Sequence, residues 1–405
     1  MRALWTALAL PWLLAAAAAA QDVAVRGELV HTLAGQPIRD GIVLVQGGKI
    51  VAVGPAATIT VPEGVEVLSA AVVTPGLIDA HSVVGLTGYL NQPTDQDQLD
   101  DSAPIQPELR AVDAYNARER LIEWLRGFGV TTVHTGHAPG ALISGQTLIA
   151  KTRGDTVDQA VIVPCAMIAA TLGESAQATE PGKSPGTRSK LVAMLREQLL
   201  AAQQYQRKGA DPDPTKHPDR DLRLEALVEL LEGRLPLLVT AHRHQDILSA
   251  LRVAQEFKLR LVLDGAAESY QVIDEIKAAG VPVIVHPPLM RAAGEHENAT
   301  MELAARLREA GIPIALQSGY EDYVPKTRVV LYEAAVAAAH GLGPEAALSA
   351  LTLDAARLLG LEARLGSLEP GKDGDLALYD GDPFEYTTHC TGVVIEGQVM
   401  SREAR

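Results

Sequence analysis

The strongest constraint on how this chain folds is a rhythm that recurs through its middle. An amphipathic helical pattern runs into a glycine and then into a short, apolar, β-branched stretch. Leu109 to Arg126 leads through Gly127 to Gly129 into Val130 to Val133; Val272 to Ala279 leads through Gly280 into Val281 to Val285; Ala304 to Ala310 leads through Gly311 into Ile312 to Leu316. Glycine stops a helix because it accepts the left-handed conformation at the C-terminal cap. A short run that is apolar on both sides suits a strand covered on both faces. Units of this kind, repeated, build a parallel sheet wrapped by helices. The rhythm fills residues 74–365, about 290 residues, which is the size of a (β/α)8 TIM-like barrel.

The two ends have a different texture. Residues 21–73 carry short strand patterns, Ile42 to Val45 and Lys49 to Val53, around the turn at Gly47-Gly48. Residues 366–405 return to that texture in Gly366 to Gly371, Asp375 to Tyr379 and Gly392 to Val399. Ends that bracket a barrel can pair with each other. The expected fold class is therefore α/β, a barrel plus a small discontinuous β-sandwich built from both chain ends. Glu174 to Lys190 and Gly209 to Arg220, rich in Pro, Gly, Asp and Lys, read as long loops flanking a helix from Leu191 to Arg207. They either shape a pocket or simply connect elements over the surface.

Residues 1–20 read as a signal peptide. Arg2 precedes an apolar stretch from Ala3 to Leu14, and Ala15 to Ala20 then meet polar Gln21 and Asp22. The apolar run is short for a span of about 20 residues, so the expectation is an exported protein, periplasmic or secreted, with no membrane span once the leader is removed. Only Cys165 and Cys390 are present. Two cysteines are too few for a thiolate metal site and read as buried thiols, with their pairing left open. A formal charge of −15 disfavours nucleic acid and anionic membranes, which attract basic clusters. Small-molecule or protein partners remain.

Val73-Thr74-Pro75-Gly76-Leu77-Ile78-Asp79-Ala80-His81 resembles the first barrel strand of the amidohydrolase superfamily, especially its imidazolonepropionase-like and prolidase-like members. Gly366-Ser367-Leu368, Gly371-Lys372, Asp375-Leu376 and Asp382-Pro383 look like the same superfamily's return to its β-sandwich. The similarity covers nearly the whole chain after the leader. It implies a hydrolase in which one or two divalent metals at the C-terminal rim activate water against a C–N or related bond. A zinc ion does this by lowering the pKa of bound water to about 7 and polarising the carbonyl.

Measured against that pattern, this chain departs at several positions. The superfamily's His-x-His on the first strand reads His81-Ser82-Val83. On the fifth strand, Thr240-Ala241-His242-Arg243-His244, the usual histidine is either lost to Thr240 or replaced by His242. The sixth strand has Leu263-Asp264-Gly265 in place of Glu-His-Gly. The eighth, Gln317-Ser318-Gly319, puts Gly319 where the metal-binding, proton-accepting aspartate belongs, with Glu321 and Asp322 beyond the strand end. The fourth, Ala160 to Met167, offers no lysine or glutamate to bridge two ions. The usual two-metal site is not expected. A rebuilt site would hold one divalent ion, zinc foremost, on His81, His242 and Asp264, with Asp264 or His242 activating water with or without the metal.

His134, His137, Ser144 and Gln146 near the second strand, and His286 at the end of the seventh, are the expected substrate-binding groups. The polar run Asn91 to Gln98 either closes over the pocket or is a solvated loop. Two function classes follow. One is an exported hydrolase for a cyclic amide, amide or peptide-like bond. The other is a non-catalytic relative that binds a ligand or partners an active paralogue, and a homo-oligomer or paralogous subunit is compatible with either.

Overall fold

The computed structural model describes residues 22–90, 92–180, 182–320 and 327–405; the expected leader, Asn91, Glu321 and Asp322 lie outside the described residues. Four strands open it: β1 Val23–Val30, β2 Ile38–Gln46, β3 Lys49–Pro55 and β4 Glu66–Pro75. Gly47 and Gly48 take φ of 56° and 81°. Two left-handed residues give the turn whose twist suits a hairpin, and β2 and β3 pair antiparallel across it.

Ten strands of the middle region follow. They are β5 Leu77–Ser82, β6 Val130–Thr135, β7 Ile143–Gln146, β8 Leu148–Lys151, β9 Val161–Val163, β10 Ile168–Thr171, β11 Leu237–Ala241, β12 Leu261–Gly265, β13 Val283–Val285 and β14 Ile314–Leu316. Strands β15 Leu376–Tyr379, β16 Cys390–Ile395 and β17 Gln398–Ser401 close the chain. β4 pairs parallel with β1 and antiparallel with β15. Both chain ends thus share one seven-stranded sheet, ordered β17-β16-β15-β4-β1-β2-β3, around a core that includes Val25, Val43, Val73, Leu376 and Val394.

The middle forms two sheets, β14-β13-β12-β11-β10-β7 and β5-β6-β8-β9. They meet on both flanks. On one, Gly319 N donates to His81 O at 3.1 Å beside the bridge between Ser82 and Gly319. On the other, Thr147 N donates to Met167 O and Ala166 N to Thr147 O. Inside, Ile78, Ala80, Ile149, Met167, Leu238, Val262, Ile284 and Ala315 pack as one apolar layer. Residues two positions on share a strand face, so Thr240, Asp264, His286 and Gln317 stand one layer further toward the C-terminal strand ends. That alternation of apolar floor and polar mouth positions the site.

The stretch Ala160 to Met167 is not the barrel strand expected of it. Val161–Val163 lies antiparallel on β8, and Pro164 follows with no N–H to continue a ladder. The strand beside β11 is instead Ile168–Thr171, in parallel register. The helix between the two long loops runs over Arg188–Gly209, started by the Thr187 side chain accepting from Lys190 N. Cys165 is half-buried, Cys390 is buried, and both are free thiols. Burial raises their pKa values to about 11 and about 12. Among the described residues no helix is long and apolar enough to cross a membrane.

The barrel is fastened to the end sheet by a buried charge. Lys151, at the end of β8 and fully buried, pairs with Asp373 at 3.2 Å and with Asp375. Removing one partner of such a pair strands the others without compensation. Lys151→Ala is expected to lower the free energy of unfolding by about 3–5 kcal/mol, measured by denaturant titration. Lys151→Met combined with Asp375→Asn should cost less than the single change, and the reverse order would show that the pairing is not what matters at this junction.

Candidate active site

At the C-terminal ends of the strands a cleft of about 430 Å³ is lined by His81, Val83, Thr240, His242, Asp264, His286, Glu295, His296, Gln317 and Gly319, among others. Asp264 lies at its floor. Thr240 Oγ1 donates to its Oδ2 at 2.6 Å, Gln317 Nε2 donates to Oδ1 at 2.8 Å, and His81 Nδ1 lies 3.1 Å from Oδ1. Burial by itself opposes ionisation of this carboxyl, but the charge and hydrogen bonds of His81, with Thr240 and Gln317, outweigh it and hold Asp264 below the usual carboxylate range. Burial also opposes charging His81. The neighbouring Asp264 and Asp79 overcome it and lift the imidazole above its ordinary value.

Three imidazoles reach the cleft with a buried nitrogen that has no hydrogen-bond partner: His81 Nε2, His242 Nδ1 and His286 Nε2. His286 Nδ1 donates to Pro287 O at 2.9 Å, which fixes the tautomer and leaves Nε2 as an acceptor. Burial pulls the His286 pKa down to about 4. Burial, then the neighbouring His296, pulls His242 well below its ordinary value. Both rings are therefore neutral near pH 7. His242 lies directly over Gly265, where an added Cβ would come within 2.4 Å of the ring and where φ is +73°. Only glycine meets both demands.

Sequence reasoning missed Glu295 and His296. They sit in the short 3-10 turn Gly294–His296, on the loop between β13 and the helix Leu303–Glu309. Arg243, next to His242, ties that loop in place: it donates to Glu297 Oε1 at 2.6 Å and to Gly294 O at 3.0 Å, and also holds buried Glu268 at 3.1 Å. Glu174 N donates to Glu295 Oε2 at 2.9 Å. The rings of His242 and His296 meet edge to face, 4.0 Å between centroids. Among the described residues, the group of three with ligand atoms all within 4.8 Å of one another is His242, Glu295 and His296, and not the expected His81, His242 and Asp264. The Glu-His pair, inside a Gly- and Pro-punctuated loop after His286-Pro287-Pro288, was the available signal.

Of the expected substrate-binding residues, His286 lines the cleft, while His134, His137, Ser144 and Gln146 do not. His134 is fully buried behind His81, donating from Nδ1 to Ala80 O at 2.6 Å, with Nε2 2.7 Å from Thr147 Oγ1. His137 packs against Gly145. Ser144 Oγ donates to Ala169 O, and Gln146 Nε2 to Pro107 O. For Ser144 and Gln146 the cause is topological: they stand on β7, which runs antiparallel to β10 in the wall. Pro93 to Gln98 do not line the cleft either.

Imidazoles and a carboxylate gathered at the C-terminal strand ends of a barrel, beside a sheet made from both chain ends, define a barrel protein with a candidate site at the end where barrel enzymes carry theirs. The chain belongs to the amidohydrolase family, whose model matches residues 83–401. An imidazolonepropionase of Rhizorhabdus wittichii is 27% identical over 373 residues, which is 85% of this chain and 88% of that protein. An amidohydrolase from Thermotoga maritima superposes with a TM-score of 0.86 at 29% identity, over 94% of this chain and all (100%) of that one. An adenosine deaminase from Xanthomonas campestris, solved with bound zinc, shares the fold at a TM-score of 0.57 and 19% identity, over 95% of this chain and 94% of that one.

The His81–Asp264 pair makes stability depend on pH in both directions. Asp264 titrates lower in the fold than out of it, so its contribution is present above the ordinary carboxylate pKa and lost as pH falls. His81 titrates higher in the fold, so its contribution is complete below the ordinary imidazole pKa and lost as pH rises. Their joint effect is therefore greatest between about pH 4 and 6.5. Denaturant titration of the wild type and His81→Gln, which keeps a donor but not the charge, should differ by about 2 kcal/mol in that window and by less above it. A difference independent of pH would show that the pair is not charged.

Proposed function

We propose that this protein is an exported hydrolase that cleaves a C–N bond in a small cyclic amide, amide or peptide-like substrate within the cleft. Family membership and the imidazolonepropionase relative support the reaction class, and the leader-like residues 1–20 support export. One observation carries the site: a buried imidazole held neutral by its burial, His286, lines the cleft that also holds the Asp264 carboxylate.

The metal positions usual in the family do not fit here. Val83 has no donor, and both Asp264 oxygens are engaged by Thr240, His81 and Gln317. Gly319 has φ of +69°, and a Cβ there would meet Pro287 at 2.7 Å. Chemistry at those positions is therefore assigned to the side chains themselves. His286 Nε2 accepts the proton of the attacking water. His286 then hands that proton to the leaving nitrogen, and Asp264 sets the negative potential against which the protonated nitrogen is stabilised.

The saturation of Asp264 favours a second reading, a non-catalytic ligand-binding or partner subunit, because a carboxylate with all its near neighbours donating has little left for a substrate. Turnover separates the two. With a panel of cyclic ureides, lactams and dipeptides, the hydrolase reading expects one class to be cleaved, and expects His286→Ala to lower kcat/KM by about 10²–10⁴, with thermal melting checking that the variant remains folded. Saturable binding of a panel member without cleavage would favour the binding subunit.

A further inference from the structure

The trio at the mouth, His242, Glu295 and His296, is not needed by the Asp264 network or by proton transfer at His286. We infer that these three side chains bind one divalent cation of the zinc class, seated at the rim by a loop and not by the strand-end residues that the family's pattern would use.

The donor set comes first. Two imidazoles and one carboxylate with ligand atoms within 4.8 Å of one another match the composition of three-ligand zinc sites, which keep a further position open for water or substrate. Small side-chain rotations close such a group around an ion. The second observation is independent of the grouping. His242 is 6% exposed, yet its Nδ1 has no hydrogen-bond partner. A buried polar atom left in that state costs about 1–3 kcal/mol, and ligation removes the cost.

The surroundings are built in the way a bound ion requires. Arg243 grips Gly294 O and Glu297 Oε1, the residues on either side of Glu295-His296. It follows His242 directly in the chain, so one backbone link couples the strand-borne ligand to the loop-borne pair. Glu174 N donates to Glu295 Oε2 at 2.9 Å, which orients the carboxylate. Supporting contacts of this kind set the orientation of first ligands in metal sites. Glu268 N donates to His242 O at 2.9 Å, while the Glu268 carboxylate accepts from Arg243, His244 N and Asn298. The same carboxylate thus restrains both halves of the site.

The inference rests on the hydrolytic reading only in sharing its cleft, and its test needs no substrate. The mature full-length chain is stripped with chelator and titrated with Co²⁺, followed by visible absorption, with Zn²⁺ as competitor. One ion per chain is expected, with the intense visible bands of a low-coordinate nitrogen and oxygen site. Glu295→Gln and His296→Ala should each weaken Co²⁺ binding by about 100-fold or more, and His81→Gln should leave it unchanged. Thermal melting without metal checks that the variants remain folded. Absence of saturable Co²⁺ and Zn²⁺ binding overturns the inference. So does binding that is lost in His81→Gln or Asp264→Asn but kept in Glu295→Gln and His296→Ala. A protein that binds the ion on the trio yet cleaves nothing would defeat the hydrolase reading and leave the cation site standing.

Discussion

A carboxylate buried in the mouth of a barrel has to be answered by its neighbours, and most of the site follows from how Asp264 is answered. Desolvating a charge is costly unless hydrogen bonds and an opposite charge replace the lost water. Asp264 stands on β12, and its three partners come from β5, β11 and the end of β14. These elements lie across both of the barrel's sheets. The network therefore fixes the relative height of strands that are distant in sequence. Thr240 and Gln317 belong to this structural role, and His81 is oriented by it.

Above this fixed layer the site depends on a second set of charges that works through loops. Arg243 and Glu268 join the end of β11 to the loop carrying Glu295 and His296, and the residues after β10 reach the same loop through Glu174. The division of labour is clear in the geometry. Buried pairs set the strand ends, and half-buried pairs set the rim, which is where ligand contacts can change without disturbing the core.

The barrel and the pairing of the chain ends were legible in the sequence because they rest on periodicity and on glycine, both local signals. Gly280 and Gly311, for example, do stand with positive φ after the helices they were expected to stop. Asp264 and His242 were also readable as groups near one rim, since strand parity predicts which residues share a face. What a linear pattern could not give was partnership. Whether Asp264 points at an ion or at Thr240 is decided by contacts between strands, and His134 and His137 looked like ligand-binding groups although Ala80, Thr147 and Gly145 enclose them. Glu295 and His296 lie more than fifty residues beyond His242 in an irregular loop, where no period links them. Pro164 divides the supposed fourth strand, and apolar residues on both sides of it left open which half belonged to the barrel.

Gly319 carries a consequence for anyone redesigning this scaffold. Its left-handed backbone and the Pro287 ring beside it mean that main-chain shape as well as side-chain identity keeps a carboxylate out of this position. Writing an aspartate into that position would force the chain to move before the new oxygen could reach anything, and the N–H of Gly319 that joins β14 to β5 would move with it. The seam that joins the barrel's two sheets and the backbone of Gly319 are the same few atoms, so a side chain at that position requires the barrel's closure to rearrange first.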